Sequence, residues 1–223
     1  MISAVIFDLD GLLSDTEQLH RRAYQDVLGR FDITLTEAAY AEHWTRLGRG
    51  IVELLSERGL DLDLKMISDQ KSARYRELVA TSVRPMPGAL EVLRRLRGHK
   101  TLALASSGHA NAVECVIRAL GMAEYFPVVV SREDVARVKP FPDLFLLAAR
   151  RLAVKPAACV VLEDAEKGVI AANEAGMKCV AIPNEDTHHN DFSRASAVVS
   201  SLDEVTIEMI DSLDGHSKED ADL

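Results

Sequence analysis

The stretch Val5-Ile6-Phe7-Asp8-Leu9-Asp10-Gly11 decides the reading of this chain. An apolar run breaks abruptly into two aspartates and then a glycine. An unpaired buried charge costs several kcal/mol, so a buried strand that ends in carboxylates must present them where their charge is compensated. In open α/β sheets that place lies outside the carboxyl ends of parallel strands, where ligands bind. Asp8 and Asp10 are two apart and share one face of an extended chain. Gly11 lets the backbone turn at once. Close carboxylates repel unless a proton or a cation separates them, and the cation suited to oxygen ligands is Mg²⁺.

Working outward, the residues after this strand are helical in pattern. Stretches over 16–30, 37–43, 50–58 and 64–82 follow one another with no strand between them, and Leu19, Ala23, Val27 and Leu28 form the apolar face of the first. The block ends at the breaker cluster Pro85-Met86-Pro87-Gly88. Beyond it strands at 101–105, 128–130, 159–162, 178–182 and 197–199 alternate with helices at 89–97, 109–120, 142–152, 167–175 and 202–213. Such alternation predicts an α/β fold, a parallel sheet with both faces covered. The first strand belongs to that sheet, so the helical block is an insertion. The expected division is a core domain of 1–15 and 86–213, a helical domain of 16–85, and a frayed tail of 214–223. In that tail Asp214, Glu219, Asp220 and Asp222 outnumber Lys218.

Three further strands run into polar residues. Thr101 to Ala105 leads to Ser106-Ser107-Gly108 and a helix, where hydroxyls and free N–H groups can bind phosphate or Ser can simply cap the helix. After Val128 to Val130 comes Lys139, held between rigid neighbours before Pro140. The run Val160-Val161-Leu162 ends in Glu163-Asp164, followed by Gly168, which permits close helix approach; Asp164 could alternatively cap that helix. Together the acids can hold Mg²⁺, Ser106 and Lys139 can bind phosphoryl oxygens, and Asp8 is available as a carboxylate nucleophile with Asp10 as its acid–base partner.

Composition narrows the partners. With 223 residues and 48% hydrophobic residues the chain has ample material for a buried core. Its formal charge of −9 argues against a nucleic-acid or anionic-membrane surface. No run approaches the ~20 apolar residues of a membrane span. Cys115, Cys159 and Cys179 have no metal-ligand spacing and read as small reduced core residues. These features, with no basic leader before the first strand, predict a cytoplasmic protein.

The order of motifs closely resembles the haloacid dehalogenase superfamily, in the branch of β-phosphoglucomutase and small phosphosugar phosphatases. The resemblance runs through Asp8-Leu9-Asp10-Gly11 with Asp15-Thr16-Glu17, then Ser106, Lys139-Pro140 with Pro142-Asp143, and Glu163-Asp164 with Gly168, Ala171-Ala172 and Ala175-Gly176-Met177. It implies that the core is a Rossmann-like, doubly wound parallel sheet and that the helical insertion is a cap that closes over the site, with substrate bound between core and cap. It implies Asp8 as nucleophile and metal ligand, Asp10 as acid–base residue with its backbone carbonyl on Mg²⁺, Asp164 as metal ligand, and Glu163 as a group ordering metal-bound water. Thr16, Glu17, His20, Arg49, Lys71, Ser107 and Gly108 become candidate substrate-binding residues, with Arg49 in a specificity loop Arg46-Leu47-Gly48-Arg49-Gly50 able to pair with a second anion. Lys71 could instead be a solvated charge on its helix.

Two departures from the mutase pattern favour a hydrolase. The cap loop lacks the mutase-type lysine, and Ser107-Gly108-His109-Ala110 stands where Ser-Lys-Asn would grip a second phosphate. The expectation is a monomeric, Mg²⁺-dependent phosphatase of a small phosphomonoester. Its rivals are a sugar-phosphate mutase and a non-catalytic phospho-ligand-binding protein. Mn²⁺ could replace Mg²⁺ at such ligands.

Overall fold

The computed structural model describes residues 1–46 and 49–215. The chain opens with β1 (Ala4–Phe7), followed by helices α1 (Glu17–Leu28), α2 (Glu37–Tyr40), α3 (Ile51–Glu57) and α4 (Leu64–Ser82). Then come α5 (Ala89–Leu96), β2 (Thr101–Ala105), α6 (Ala110–Ala119), β3 (Val128–Val130), α7 (Asp143–Arg151) and β4 (Cys159–Glu163). The series closes with α8 (Glu166–Glu174), β5 (Lys178–Ala181), β6 (Ala197–Val198) and α9 (Ile207–Ser212). Two compact units result: Met1–Ser14 together with the chain from Pro85 on, and Asp15–Arg84.

The first unit is built on a six-stranded sheet of order β3-β2-β1-β4-β5-β6, parallel at every pairing. This is the α/β fold expected from the alternation of strands and helices. Residues Ala4 to Phe7 and Cys159 to Glu163 are buried on both faces, which is why these strands read as continuous apolar runs. One face packs Ala4, Ile6, Ala103, Val161 and Cys179 against Leu144, Phe145 and Ala148 of α7 and Val169 and Ala172 of α8. The alternate residues Val5, Phe7, Leu104, Val160 and Leu162 are equally buried on the other face. Register matters most for function. Phe7 lies opposite Leu104 on one side and Leu162 on the other, so the strands β2, β1 and β4 end level. The strand order changes direction at β1, and its boundary with β4 is the topological switch point.

The second unit holds α1 to α4 around Val27, Leu28, Ile33, Leu35, Tyr40, Leu54, Leu55 and Ile67. Leu19, Ala23, Val27 and Leu28 are the buried residues of α1, as its periodicity predicts. Asp63 and Thr36 cap α4 and α2 by accepting from Met66 N and Ala39 N.

Local chemistry overrode the sequence pattern in a few places. The helix expected over 202–213 is split: Ser201 and Thr206 side chains accept from Asp203 N and Met209 N, so a 3₁₀ turn at Leu202–Glu204 precedes α9. The segment after α2 continues as a π-turn, Ala41–Arg46. Asp214, expected in the frayed tail, accepts from Ile2 N at 2.8 Å; residues 216–223 of that tail lie outside the described residues. Cys159 and Cys179 are buried core residues, whereas Cys115 is only half-buried. Among the described residues no helix is long and apolar enough to cross a membrane.

Candidate active site

Asp8 follows the last residue of β1 and is buried. The turn behind it is tied by Gly11 N to Ser14 O at 2.9 Å and by the Ser14 hydroxyl to Leu9 O at 3.1 Å. Gly11 has φ +87°, and a Cβ there would come within 2.4 Å of Asp164 Oδ2. The glycine therefore does two things: it turns the chain and it leaves room for a carboxylate from β4.

Lys139 is the cation of this cluster. Its side chain is only 1% exposed, and its Nζ donates to Asp8 Oδ1 and, at 2.6 Å, to Glu163 Oε1. It also lies 4.9 Å from the centroid of the Phe145 ring. Burial alone would lower the lysine, but the charges of Asp8 and Glu163 outweigh it and hold it above its ordinary value. Burial pushes Asp8 up to about 7 against the opposing charge of Lys139, with the neighbouring Glu163 and Asp10 charges adding to the rise. Burial and the charges of Glu163 and Asp8 likewise raise Asp164 well above the usual carboxylate range.

Glu163 has both oxygens engaged: Oε1 by Lys139 and Oε2 by Ala165 N at 3.0 Å. Gly168 makes this possible, since a Cβ there would fall 1.9 Å from Glu163 Oε1. The close approach expected at Gly168 is thus an approach of a side chain. Asp164 does not cap α8. Ala165 occupies the cap position, Glu163 takes the Ala165 N–H, and Asn190 Oδ1 takes the Glu166 N–H.

Ser106 is fully buried, and its hydroxyl donates to Asp10 Oδ2 at 3.2 Å while accepting from Gly108 N at 2.9 Å. It does not cap α6, whose cap residue is His109. Ser107 Oγ is a buried hydroxyl with no hydrogen-bond partner among the described residues. Just beyond, the start of α6 is filled from within the chain: Glu133 accepts from Ala110 N at 2.9 Å and contacts His109 Nδ1 at 2.6 Å.

Ligand atoms of Asp8, Glu163 and Asp164 lie within 4.8 Å of one another. The donor set fits a hard divalent cation. It is all oxygen, and three buried carboxylates crowded together raise one another's proton affinity, a repulsion that a bound cation would relieve. Glu163 fits least well as a direct ligand, because its two oxygens already accept from Lys139 and Ala165. The Asp10 carboxylate is outside that set of three.

The candidate residues of the second unit fall into two groups. Thr16 is buried at the start of α1, and Glu17 accepts from Tyr40 OH at 2.7 Å. Lys71 Nζ lies 2.6 Å from His20 Nδ1; lysine has only donors, so this nitrogen accepts. His20 stacks on Tyr75 with centroids 4.0 Å apart, and Lys71 sits 5.0 Å from the Tyr24 and Tyr75 ring centroids. Lys71 is therefore half-buried among aromatic rings and is not the solvated charge weighed as an alternative. Arg49 is elsewhere, paired with Glu57 at 2.6 Å. Of its loop, Leu47 and Gly48 lie outside the described residues.

Sequence reasoning missed Asn184. Its Nδ2 donates to Gly11 O at 3.0 Å and to Asp164 Oδ2 at 2.9 Å. The available signal was the same one used at the other strands, a polar residue soon after the apolar run that ends at Ile182.

Against this geometry the likenesses to known proteins are specific. A family model described as haloacid dehalogenase-like hydrolase matches residues 2–176. The fructose-1-phosphate phosphatase YqaB of Escherichia coli (strain K12) is 35% identical over 184 residues, covering 81% of this chain and 96% of that protein. The crystal structure of CbbY from Rhodobacter sphaeroides in complex with phosphate superposes with a TM-score of 0.86 at 31% identity, covering 95% of this chain and all of that one. A mutant of the same protein in complex with xylulose-(1,5)bisphosphate gives 0.83 at 32% identity, covering 92% of this chain and 96% of that one. The chain belongs to the haloacid dehalogenase-like hydrolase family. It stands in the phosphosugar phosphatase branch and is an enzyme of the phosphoric monoester hydrolase type.

Proposed function

We propose that this protein is a Mg²⁺-dependent phosphatase of a small phosphorylated metabolite, a sugar phosphate or related monoester, working through a phosphoaspartate at Asp8. The observation that carries the reading is the buried carboxylate of Asp8 at the end of β1, anchored by Lys139 and grouped with Asp164. The metal would be held by Asp8 and Asp164, with the Asp10 backbone carbonyl as a further oxygen. When bound it would neutralise charge on the carboxylates and on the phosphoryl group.

Lys139 fixes Asp8 through Oδ1 and leaves Oδ2 to attack phosphorus. The bond from phosphorus to the leaving oxygen breaks as the new bond to Asp8 forms. Asp10 gives its proton to the departing alkoxide. Water then attacks phosphorus, Asp10 takes a proton from it, and the bond to Asp8 breaks to release phosphate and restore the carboxylate. The Ser106 hydroxyl, whose one hydrogen is on Asp10, holds that side chain in place, and the Ser107 hydroxyl beside it supplies a donor for phosphoryl oxygens; Ser106 and Gly108 would serve as donors there only by exchanging their present partners. The third hydrogen of the Lys139 ammonium is a further donor for them. Such fixed donors stabilise a transition state better than mobile water because they need no reorganisation.

We assign the helical unit the role of a cap that selects the leaving group, with Thr16, Glu17, His20, Lys71 and Arg49 as its candidate polar contacts. A cytoplasmic, monomeric enzyme is the state in which we expect it to act. Two features support hydrolysis over transfer to a second sugar position: the α6 start is filled by Glu133, and Arg49 is engaged by Glu57.

Phosphate release from a panel of sugar monophosphates, with and without Mg²⁺, tests the reading. The expected result is Mg²⁺-dependent release, cut by ~10⁴-fold or more in Asp8→Asn while the protein stays folded. Isomerised sugar phosphate without phosphate release would replace the reading with a mutase. Binding without turnover would replace it with a non-catalytic receptor.

A further inference from the structure

The loop after β5 reaches into the carboxylate cluster through a single side chain. Asn184 Nδ2 has two hydrogens, and both are used: one on Gly11 O at 3.0 Å, the other on Asp164 Oδ2 at 2.9 Å. The amide cannot be turned the other way. Its Oδ1 accepts from Asp186 N at 2.8 Å, Thr187 N at 3.1 Å and Thr187 Oγ1 at 3.2 Å, and two of these are backbone N–H groups that require an oxygen. Thr187 is itself buried, and its hydroxyl also accepts from Asn184 N at 3.0 Å. The loop therefore fixes the amide, and the amide fixes both the turn behind Asp10 and one oxygen of Asp164.

The packing leaves no slack. A Cβ on Gly11 would lie 2.4 Å from Asp164 Oδ2 and 2.9 Å from Asn184 Nδ2, so the three groups are in contact around a missing side chain. Asp164 is buried beside Glu163 and Asp8, whose charges repel it, while the charges of Lys167 and Lys139 attract it without a direct hydrogen bond from either among those described. A carboxylate so placed would swing away from its neighbours unless something held it. The Asn184 amide is a neutral donor that does so without supplying a competing positive charge, and it engages only one of the two oxygens.

We propose that Asn184, oriented by Thr187, is a positioning residue that sets Asp164 for the cation; this rests on the metal-site reading given above. Partners that orient a metal ligand change affinity by ~10–100-fold when removed. Calorimetric titration of the full chain with Mg²⁺ is the test, alongside KM at saturating Mg²⁺ for the sugar monophosphate that the phosphate-release panel shows to be turned over fastest. Asn184→Ala is expected to weaken Mg²⁺ binding by ~10-fold or more, with KM at saturating metal changed less than the metal affinity. Thr187→Val should weaken Mg²⁺ in the same direction by less, and Thr187→Ser, which keeps the hydroxyl, should match the wild type. Unchanged Mg²⁺ affinity in a folded Asn184→Ala would overturn the proposal. If that variant does not fold, unchanged affinity in Thr187→Val would do so. A wild-type protein that binds no Mg²⁺ would instead sink the metal-site reading, and this proposal with it.

Discussion

Two polar clusters among the described residues hold a lysine in opposite ways. Lys139 is enclosed, and both its described hydrogen bonds go to buried carboxylates. Lys71 is half-buried, and its described contacts include a histidine ring nitrogen and the faces of two tyrosines. The first arrangement is a charge balance that fails if either sign is removed. The second sets a cation against polarisable rings and a neutral ring nitrogen. Chemistry that must be repeated identically on every substrate suits the first, and recognition that varies between relatives suits the second.

The sharpest way to break this comparison is to remove both lysines in turn. Lys139→Met leaves Asp8 and Glu163 buried without their counter-ion, and the expected loss is ~3–5 kcal/mol of stability by denaturant unfolding. A loss below ~1 kcal/mol would mean that the cluster is wetter than its burial implies.

Second in size is the response to Mg²⁺. Asp8 ionises near pH 4 in the unfolded chain and only at about 7 in the folded one. The folded state therefore binds more protons across that window, and the resulting stabilisation is present on the acid side and lost as pH rises through 7. A cation that replaces the proton should reverse this trend. At a Mg²⁺ concentration fixed at about a hundred times the Kd found at pH 8, stabilisation should approach ~2.7 kcal/mol at pH 8 and be smaller at pH 6, as read by thermal unfolding with and without the metal. Equal stabilisation at both pH values would dissociate the metal from these carboxylates.

Gly168→Ala comes next. A Cβ 1.9 Å from Glu163 Oε1 forces the carboxylate off Lys139, with an expected cost of ~2 kcal/mol and a lowered Tm. The smallest effect belongs to the other lysine. Lys71→Met should cost no more than ~1 kcal/mol, because an aromatic-lined cation contributes about that much. Its consequence should appear in the ranking of substrates in the phosphate-release panel.

Why some of this was legible in the sequence follows from how strands end. Asp8, Ser106, Glu163 and Asp164 each stand just after a buried run, and a parallel sheet with level ends brings such positions together without further information. Lys139 lies nine residues past β3, so periodicity did not point to it; the signal was a cation between rigid neighbours, reinforced by the order of the motifs. The pairings were not legible. That Lys139 takes both Asp8 and Glu163, and that the Ser106 hydroxyl turns to Asp10, depends on rotamers that residue spacing does not encode. Asn184 was missed because Pro183 and the polar run behind it read as an ordinary loop. The break before α9 was missed because an apolar period continued through residues whose hydroxyls preferred the backbone.

The notch at Gly168 has a consequence for how this sequence can change. Residue 168 and residue 163 are not independent letters, because the space a methyl group would need is already filled by the Glu163 carboxylate and its Cγ. Alanine at 168 becomes acceptable only after Glu163 is shortened, for instance to aspartate, which withdraws the carboxylate by one methylene. Either single change disturbs the cluster, because Gly168→Ala pushes the carboxylate aside and a shortened residue 163 withdraws it from Lys139 and Ala165 N, so the two positions are expected to change together.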